Sequence, residues 1–388
     1  MIIEKHVSKL LVGDYVVEIL QQSGNFLLKN ESLIKSEGVI NNLIVKGVEV
    51  VKVDTERSIM PSVPQSSSTQ RTRQQLAVEV KHAKQLFEES KTIQAKVFAD
   101  AQAGCELDLA PVIDITNKAV DTIFNSPDAL ACVINIRIKD AYLLEHSVAV
   151  SVLMTIFSRF LNIDKATVQQ LSVGAFLHDV GKIMIPDNIL NKPGKLTDDE
   201  FTIMKTHANH SIDIISKTPN ISALSLEVAA QHHEKLDGFG YPNQLGEDAI
   251  SQYGRMISIC DIFDALTANR CYKEGFAHVK AFTILRNLAE QNHLDKKLVD
   301  QFIRCIGVYP VGCLVALNSN KVAIVEARNP DDPISPKVRS FYSVKNGHYL
   351  NTQDIDLSDS DDFIVKNVRA DDFDLDMNKI VEFLIMQG

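Results

Sequence analysis

The stretches AYLLEHSVAVSVLMTIFSRFL (141–161) and DKATVQQLSVGAFLHDVG (164–181) decide the fold. Both place apolar residues at helical spacing, and each carries a histidine inside that apolar setting. Working outward, the same period runs through LDLAPVIDITNKAVDTIFN (107–125), PDALACVINIRI (127–138) and DDEFTIMKTHANHSIDIIS (198–216). It continues through ALSLEVAAQHHE (223–234), QYGRMISICDIFDALTAN (252–269) and AFTILRNLAEQN (281–292). Strand signals are nearly absent across this region. A span of about 200 residues is enough for one helical core.

The flanks read differently. HVSKLLVGDYVVEI (6–19) and VEVVKVD (48–54) are rich in β-branched residues, and Gly13, Gly24 and Gly47 punctuate them. SEGVINNLIVKG (36–47) between them reads as a short helix. Residues 1–58 are therefore expected to form a small α/β domain. MPSVPQSSSTQRTR (60–73) is nearly devoid of apolar residues and marks a linker over 59–72. Leu76, Val80, Ala83 and Phe87 then fall on one helical face, so 73–105 reads as a connecting helix. That helix either mediates a homodimer or packs on the next domain. The helical domain covers 106–310. Beyond it, LVALNSNKVAIVEARN (314–329) and SFYSVKNGHYL (340–350) read as hairpins turning at 318–320 and at Asn346-Gly347, so 311–388 is a short β-rich segment. Nine aspartates between Asp354 and Asp376 read as a solvated acidic surface. The fold class is mainly α, with a small N-terminal α/β domain and a β-rich C-terminal segment.

Composition sets the outer limits. The 388 residues suggest two or three domains at about 100–200 residues each. With 45% hydrophobic and 23% charged residues the chain is globular, not disordered. No apolar run is read as reaching the ~18 residues of a membrane helix, and the N-terminus lacks a signal-peptide pattern. A cytoplasmic protein with no membrane partner is expected. A net charge of −10 argues against a duplex nucleic-acid partner, although a local basic pocket could hold a small anion. Cys105, Cys132, Cys260, Cys271, Cys305 and Cys313 form no CxxC pair, so a thiolate metal site is not supported.

The histidines are more informative. His146, HDVGK (178–182), His207, HHEKLDGFGYP (232–242) and CDIFDALTANRCYK (260–273) recur on successive helical stretches. Singly, each reads as an ordinary packing or surface feature. Together they put imidazoles and carboxylates inside apolar segments, where an unpaired polar group costs a few kcal/mol. Helical bundles build metal sites from inward-facing side chains of several helices. A divalent cation is the simplest partner that satisfies them all.

These segments, with the run HDVGKIMIPDNILNKPGKLTDDEFTIMKTH (178–207), make residues 135–305 resemble the HD-GYP family of HD phosphohydrolases. The resemblance implies a helical HD-domain bundle. It implies metal ligation by His146, His178, Asp179, His207, His232, His233 and Asp261, with Asp179 bridging two divalent ions. His146, His178 and Asp261 would complete one side, and His207, His232 and His233 the other. Such ligands suit iron, manganese, nickel or zinc better than magnesium or calcium, and the family favours iron or manganese. Some members carry a glutamate four residues before the first histidine and look trinuclear. Tyr142 stands there in this chain, and Glu145, adjacent to His146 and about 100° round the helix from it, is a poor substitute, so two metals are expected. Asp264, one turn from Asp261, is either a third-site ligand or an acceptor that orients a ligand histidine. His210 is expected at the surface or outside the ligand set.

The implied activity is hydrolysis of cyclic di-GMP or 3′,3′-cyclic GMP-AMP to the linear dinucleotide by a metal-bridging hydroxide. Two cations about 3.5–4 Å apart clamp the phosphoryl oxygens and activate a shared water. Asp179 and Lys182 are the expected catalytic residues, and Lys182 also contacts phosphate. Arg270 and Lys273 are expected to bind the nucleotide, Arg270 suiting bidentate phosphate recognition. Gly238 and Tyr241 in DGFGYP would shape the cleft, and that loop would dock a diguanylate cyclase-type partner; no catalytic proton is assigned to Tyr241. Two other readings compete: a general nucleotide phosphohydrolase, and a catalytically weak sensor that binds the dinucleotide or a cyclase.

Overall fold

The computed structural model describes residues 2–7, 10, 14–23, 32–34, 43–44, 46–54, 73–135, 142–268, 275–329, 332–376 and 379–380. The chain divides into two compact units, 1–71 and 72–388.

The first unit holds strands β1 (Ile2–His6), β2 (Tyr15–Gln22), β3 (Ser32–Leu33) and β4 (Val48–Asp54) in the antiparallel order β1-β4-β2-β3. Alternation along the central strand buries Val51 and Val53 against Val7, Leu10, Val16 and Ile34. The helix expected over 36–47 falls almost wholly outside the described residues.

The second unit begins with α1 (Arg73–Gln102), whose Ala83 and Phe87 are buried on the face that the sequence pattern marks. It continues with α2 (Leu109–Asn125), α3 (Pro127–Asn135), α4 (Tyr142–Phe160) and α5 (Lys165–Leu177). A 3₁₀ turn (Val180–Met184) and α6 (Asp187–Leu190) follow, then α7 (Asp198–Ser216), α8 (Ala223–Gln231), α9 (Gln252–Thr267), α10 (His278–Glu290) and α11 (Lys296–Ile306). Side-chain caps start several of these helices: Asp164, Ser222, Ser251, Asp295 and a Thr197–Glu200 capping box. The helical periodicity quoted above does not include α11, although Asp295 announces it and Leu298, Val299, Phe302, Ile303 and Ile306 form its buried stripe.

Helix α4 is the axis of the bundle, touching α1, α2, α3, α5, α9 and α11. Contrary to the expectation from sequence, its Leu143–Phe160 window is long and apolar enough to cross a membrane by length and composition. That window is 78% buried inside the protein, and a helix enclosed by others is apolar all round. Its Phe157 meets Phe302 edge-on at 5.2 Å, and Phe302 meets Phe263 at 5.1 Å. The 3₁₀ turn packs against α7 through Gly181. A Cβ there would lie 2.2 Å from the His207 carbonyl oxygen and 2.3 Å from the Ser211 nitrogen, so only glycine permits this approach.

After α11 the chain forms an antiparallel sheet of β5 (Leu314–Leu317), β6 (Lys321–Ala327), β7 (Lys337–Ser343), β8 (His348–Asp356) and β9 (Ile364–Val368), ordered β8-β7-β6-β5-β9. Both expected hairpins form, with Asn320 (φ 58°) and Gly347 (φ 66°) at their turns. The acidic segment is more than surface. Its FIVKNV stretch alternates enough to supply β9, which pairs with β5 and buries Val368 beside Leu314 and Phe341.

Candidate metal centre

The seven side chains converge on one another inside the helical domain. His146 comes from the first turns of α4, His207 from the middle of α7 and Asp261 from α9. His178 and His232 are the C-cap residues of α5 and α8, with Asp179 and His233 next in chain. Asp179 is the hub. Its Oδ2 lies 3.4 Å from Nε2 of both His146 and His178. Its Oδ1 lies 3.4 Å from Nε2 of His207 and 3.8 Å from that of His232. Asp261 closes the ring: Oδ1 is 3.0 Å from His146 Nε2, and Oδ2 is 3.5 Å from His233 Nδ1. Two ligand-like clusters share Asp179: His146, His178 and Asp179, and Asp179, His207, His232 and His233.

The ring nitrogens are set for ligation. The Nδ1 atoms of His178, His207 and His232 lie 2.6–2.7 Å from the carbonyl oxygens of Ala175, Met204 and Ala229. A carbonyl only accepts, so each Nδ1 carries the proton and each Nε2 turns a lone pair inward. His146 differs: its Nδ1 lies 2.8 Å from Asp264 Oδ2 and its Nε2 3.0 Å from Asp261 Oδ1, so in the metal-free site both nitrogens hold protons, and a ligated cation would take the place of the one on Nε2. His178 Nε2 and Asp179 Oδ1 are buried without a hydrogen-bond partner, which fits a site made for a cation and not for internal pairing. Burial pushes His207 down to about 4 and His232 to about 3, and drives His233 well below the ordinary range, so these imidazoles stay neutral and able to ligate. Burial alone would raise the Asp179 carboxyl, but the Lys182 ammonium and the surrounding imidazoles outweigh it and hold Asp179 well below the carboxylate range. Lys182 reaches Asp179 Oδ2 directly from the 3₁₀ turn.

The other candidate residues sort themselves by contact. Asp264 faces the outer nitrogen of His146, so the structure favours the orienting acceptor over a third-site ligand. Glu145 turns towards Lys91 of α1, whose Nζ is 3.1 Å away. His210 is half-buried beside Gly181 and belongs to neither cluster. The Tyr241 ring packs on the His233 imidazole at 4.5 Å, and burial pushes its phenol far above the ordinary range. Gly238 adopts φ 77° in the loop and Phe239 at its tip is 82% exposed. Arg270 and Lys273 lie outside the described residues. Glu234, the last residue of HHE, is not among the candidates that the sequence pattern offers. Its buried carboxylate accepts two backbone N–H groups, and the only sequence signal was a glutamate adjoining a histidine pair in a turn-rich stretch.

Helical bundle and buried His/Asp ring together define an HD-domain protein. Residues 133–298 match the HD domain family (HD_5), and residues 2–112 match a domain of unknown function, DUF3391. Cyclic di-GMP phosphodiesterase PA4108 of Pseudomonas aeruginosa is 31% identical over 354 residues, which cover 89% of this chain and 85% of that protein. The 3′3′-cGAMP-specific phosphodiesterase 2 of Vibrio cholerae is 44% identical over 127 residues, 32% of this chain and 24% of that protein. Besides the Pseudomonas protein, relatives match over shorter segments, and this chain spans between 24% and 39% of their length. Among solved structures, Bd1817, a HDG"Y"P protein from Bdellovibrio bacteriovorus, aligns with 78% of this chain and 98% of its own at 18% identity and a TM-score of 0.48. The chain belongs to the HD-GYP family of HD-domain proteins.

Proposed function

We propose that this chain is a metal-dependent phosphodiesterase that opens a cyclic dinucleotide, cyclic di-GMP or 3′,3′-cyclic GMP-AMP, to its linear form. The observation that carries the reading is Asp179, with one carboxylate oxygen turned to each histidine pair. Relatives named as cyclic di-GMP and 3′3′-cGAMP phosphodiesterases support the substrate class. In this proposal His146, His178, Asp179, His207, His232, His233 and Asp261 hold two divalent ions of the iron, manganese, nickel or zinc kind that such ligands suit, iron or manganese first because the family resemblance favours them. Such a pair would polarise the phosphodiester and supply an activated water at neutral pH.

The chain's own residues do the rest. Lys182 neutralises part of the Asp179 charge and presents its ammonium where a phosphate oxygen would arrive. Arg270 and Lys273 bind the nucleotide, and Tyr241 and Gly238 form the wall beside His233. The complete, inward-turned ligand set supports an enzyme over a catalytically weak sensor. In this proposal the chain divides into 1–58, 59–72, 73–105, 106–310 and 311–388, lies in the cytoplasm, meets a cyclase-type partner at the DGFGYP loop and forms a homodimer. The test is anaerobic reconstitution with Fe²⁺ or Mn²⁺, elemental analysis, and incubation with each cyclic dinucleotide and a mononucleotide panel. About two metals per chain and cleavage of a cyclic dinucleotide are expected. Fully metallated protein that cleaves none of them, or that prefers mononucleotides, refutes the proposal.

A further inference from the structure

The segment that follows the His232–His233 pair is tied back to it by one buried side chain. Glu234 is 3% exposed, and its Oε1 accepts the Asn243 N–H at 2.7 Å while Oε2 accepts the Leu245 N–H at 2.9 Å. Both donors lie just beyond Tyr241-Pro242, so the carboxylate holds the returning arm of the DGFGYP loop against its own stem. Gly240 makes this closure possible. A Cβ there would lie 2.4 Å from the Lys235 nitrogen and 2.5 Å from the Glu234 Cα. Between these two points the Tyr241 N–H donates to the His233 carbonyl at 3.1 Å, and the Tyr241 ring lies on the His233 imidazole. A second clip secures the loop's start. Asp237 Oδ1 accepts the Phe239 N–H at 2.9 Å, and Asp237 Oδ2 sits 3.2 Å from His293 Nε2, in the turn between α10 and α11.

We propose that Glu234 is a positioning residue: it fixes Tyr241 over His233 and so sets the substrate-facing wall of the centre without ligating metal. Two charge-assisted bonds converge on one buried carboxylate, each stronger than a neutral bond. Nothing else described on the returning arm ties Asn243 and Leu245 to the stem through a side chain. Glutamine at this position has one acceptor oxygen and turns an NH₂ towards the second N–H donor. Glu234→Gln therefore loosens the returning arm partly and Glu234→Ala more, leaving the Tyr241–His233 backbone bond and the Asp237–Gly246 backbone bridge to hold the rest of the loop.

The functional half of this proposal rests on the phosphodiesterase reading; the structural half does not. The test uses full-length protein with 3-fluorotyrosine in place of tyrosine, the Tyr241 ¹⁹F resonance being assigned by its loss in Tyr241→Phe. In Glu234→Ala that resonance moves towards the position of a solvent-exposed tyrosine, and in Glu234→Gln it moves part of the way. Metal content of the reconstituted variants stays at the wild-type level. KM for the cyclic dinucleotide rises about tenfold or more in Glu234→Ala, with an intermediate value in Glu234→Gln. An unmoved Tyr241 resonance in Glu234→Ala overturns the proposal, as does metal loss that parallels the loss of activity in the folded Gln variant. If wild-type protein turns over no dinucleotide, the enzyme reading fails while the resonance still decides the role of Glu234.

Discussion

Asp264→Asn is the substitution that best separates an orienting carboxylate from a metal ligand. Asp264 is fully buried, and its Oδ2 meets the Nδ1 of an equally buried His146 at 2.8 Å. Asparagine keeps the shape and can still accept the Nδ1–H through its amide oxygen, but it brings no charge. Charge-assisted hydrogen bonds are about twice as strong as neutral ones. Removing an outer carboxylate behind a ligating histidine costs about 10–100-fold in metal affinity or activity, roughly 1.4–2.8 kcal/mol. Asp264→Asn is expected in the lower half of that range. Asp264→Ala belongs at the upper end, because it strands a buried N–H at roughly 1–3 kcal/mol. It also frees the ring to move its proton to Nε2, where His146 no longer offers a lone pair. The assay is calorimetric titration of metal-stripped protein with Mn²⁺, followed by turnover at saturating Mn²⁺. Affinity and turnover both within about twofold of wild type in Asp264→Asn would refute the orienting role. Loss of a whole metal equivalent in Asp264→Asn, with a further equivalent lost on adding His146→Ala, would make Asp264 a ligand itself.

Three further outcomes are expected. In Gly181→Ala the new methyl meets the backbone of α7 at 2.2–2.3 Å, so α7 must shift; a loss of about 1–3 kcal/mol or more in urea unfolding and a lower metal content are expected, and unchanged values of both would refute the close-approach argument. Metal affinity should rise with pH: burial disfavours protonated His146, yet the Asp261 and Asp264 carboxylates outweigh it and hold its pKa at about 9 in the metal-free site. A cation must displace that proton, so affinity should climb by up to about tenfold per pH unit and flatten above about 9. The sign for stability is opposite, because the stabilisation this raised pKa gives the metal-free chain is complete below its ordinary 6.5 and is lost as pH rises through about 9. Mn²⁺ titrations at several pH values between these limits check the first, and a pH-independent affinity would sink it. Finally, Lys91→Met leaves the buried Glu145 carboxylate without its α1 cation, at a cost of about 1–3 kcal/mol that Lys91→Arg should largely restore; equal unfolding midpoints for Met and wild type would show that the pair contributes nothing.

Much of this was legible in the sequence, for reasons that can be named. Long amphipathic helices declare themselves by period, and caps such as Asp164 and the Thr197–Glu200 box sharpen their starts. The two C-terminal hairpins were readable because Asn320 and Gly347 supply the positive φ that their turns need. Strand β9 was obscured by surrounding aspartates, since composition over a window averages away a five-residue alternation. Asp264 stayed ambiguous because helical spacing puts it near Asp261 without saying which nitrogen of His146 it would meet. Glu234 was invisible for a different reason. Its partners are backbone N–H groups nine and eleven residues on, and such bonds leave no side-chain signature in a pattern of residue types.

Helix ends are where sequence and structure differ most instructively. Periodicity carries α5 and α8 through HDVG and HHE, but both helices stop one residue short of the histidine. His178 and His232 then use Nδ1–H to satisfy the carbonyls of Ala175 and Ala229, three residues back, in the last turn where carbonyls lose their helical partners. One bond thus caps the helix, fixes the tautomer and aims Nε2 at the centre. It also places the C-terminal, partly negative ends of two helices beside the proposed cation positions, which favours positive charge there. A histidine carried further along the helix would still find a carbonyl three residues back, as His207 does with Met204, but without the helix end behind it. Because Asp179 and His233 follow directly on these capped ends, each helix terminus delivers two groups to the ring instead of one, and seven side chains are gathered from only five places in the chain.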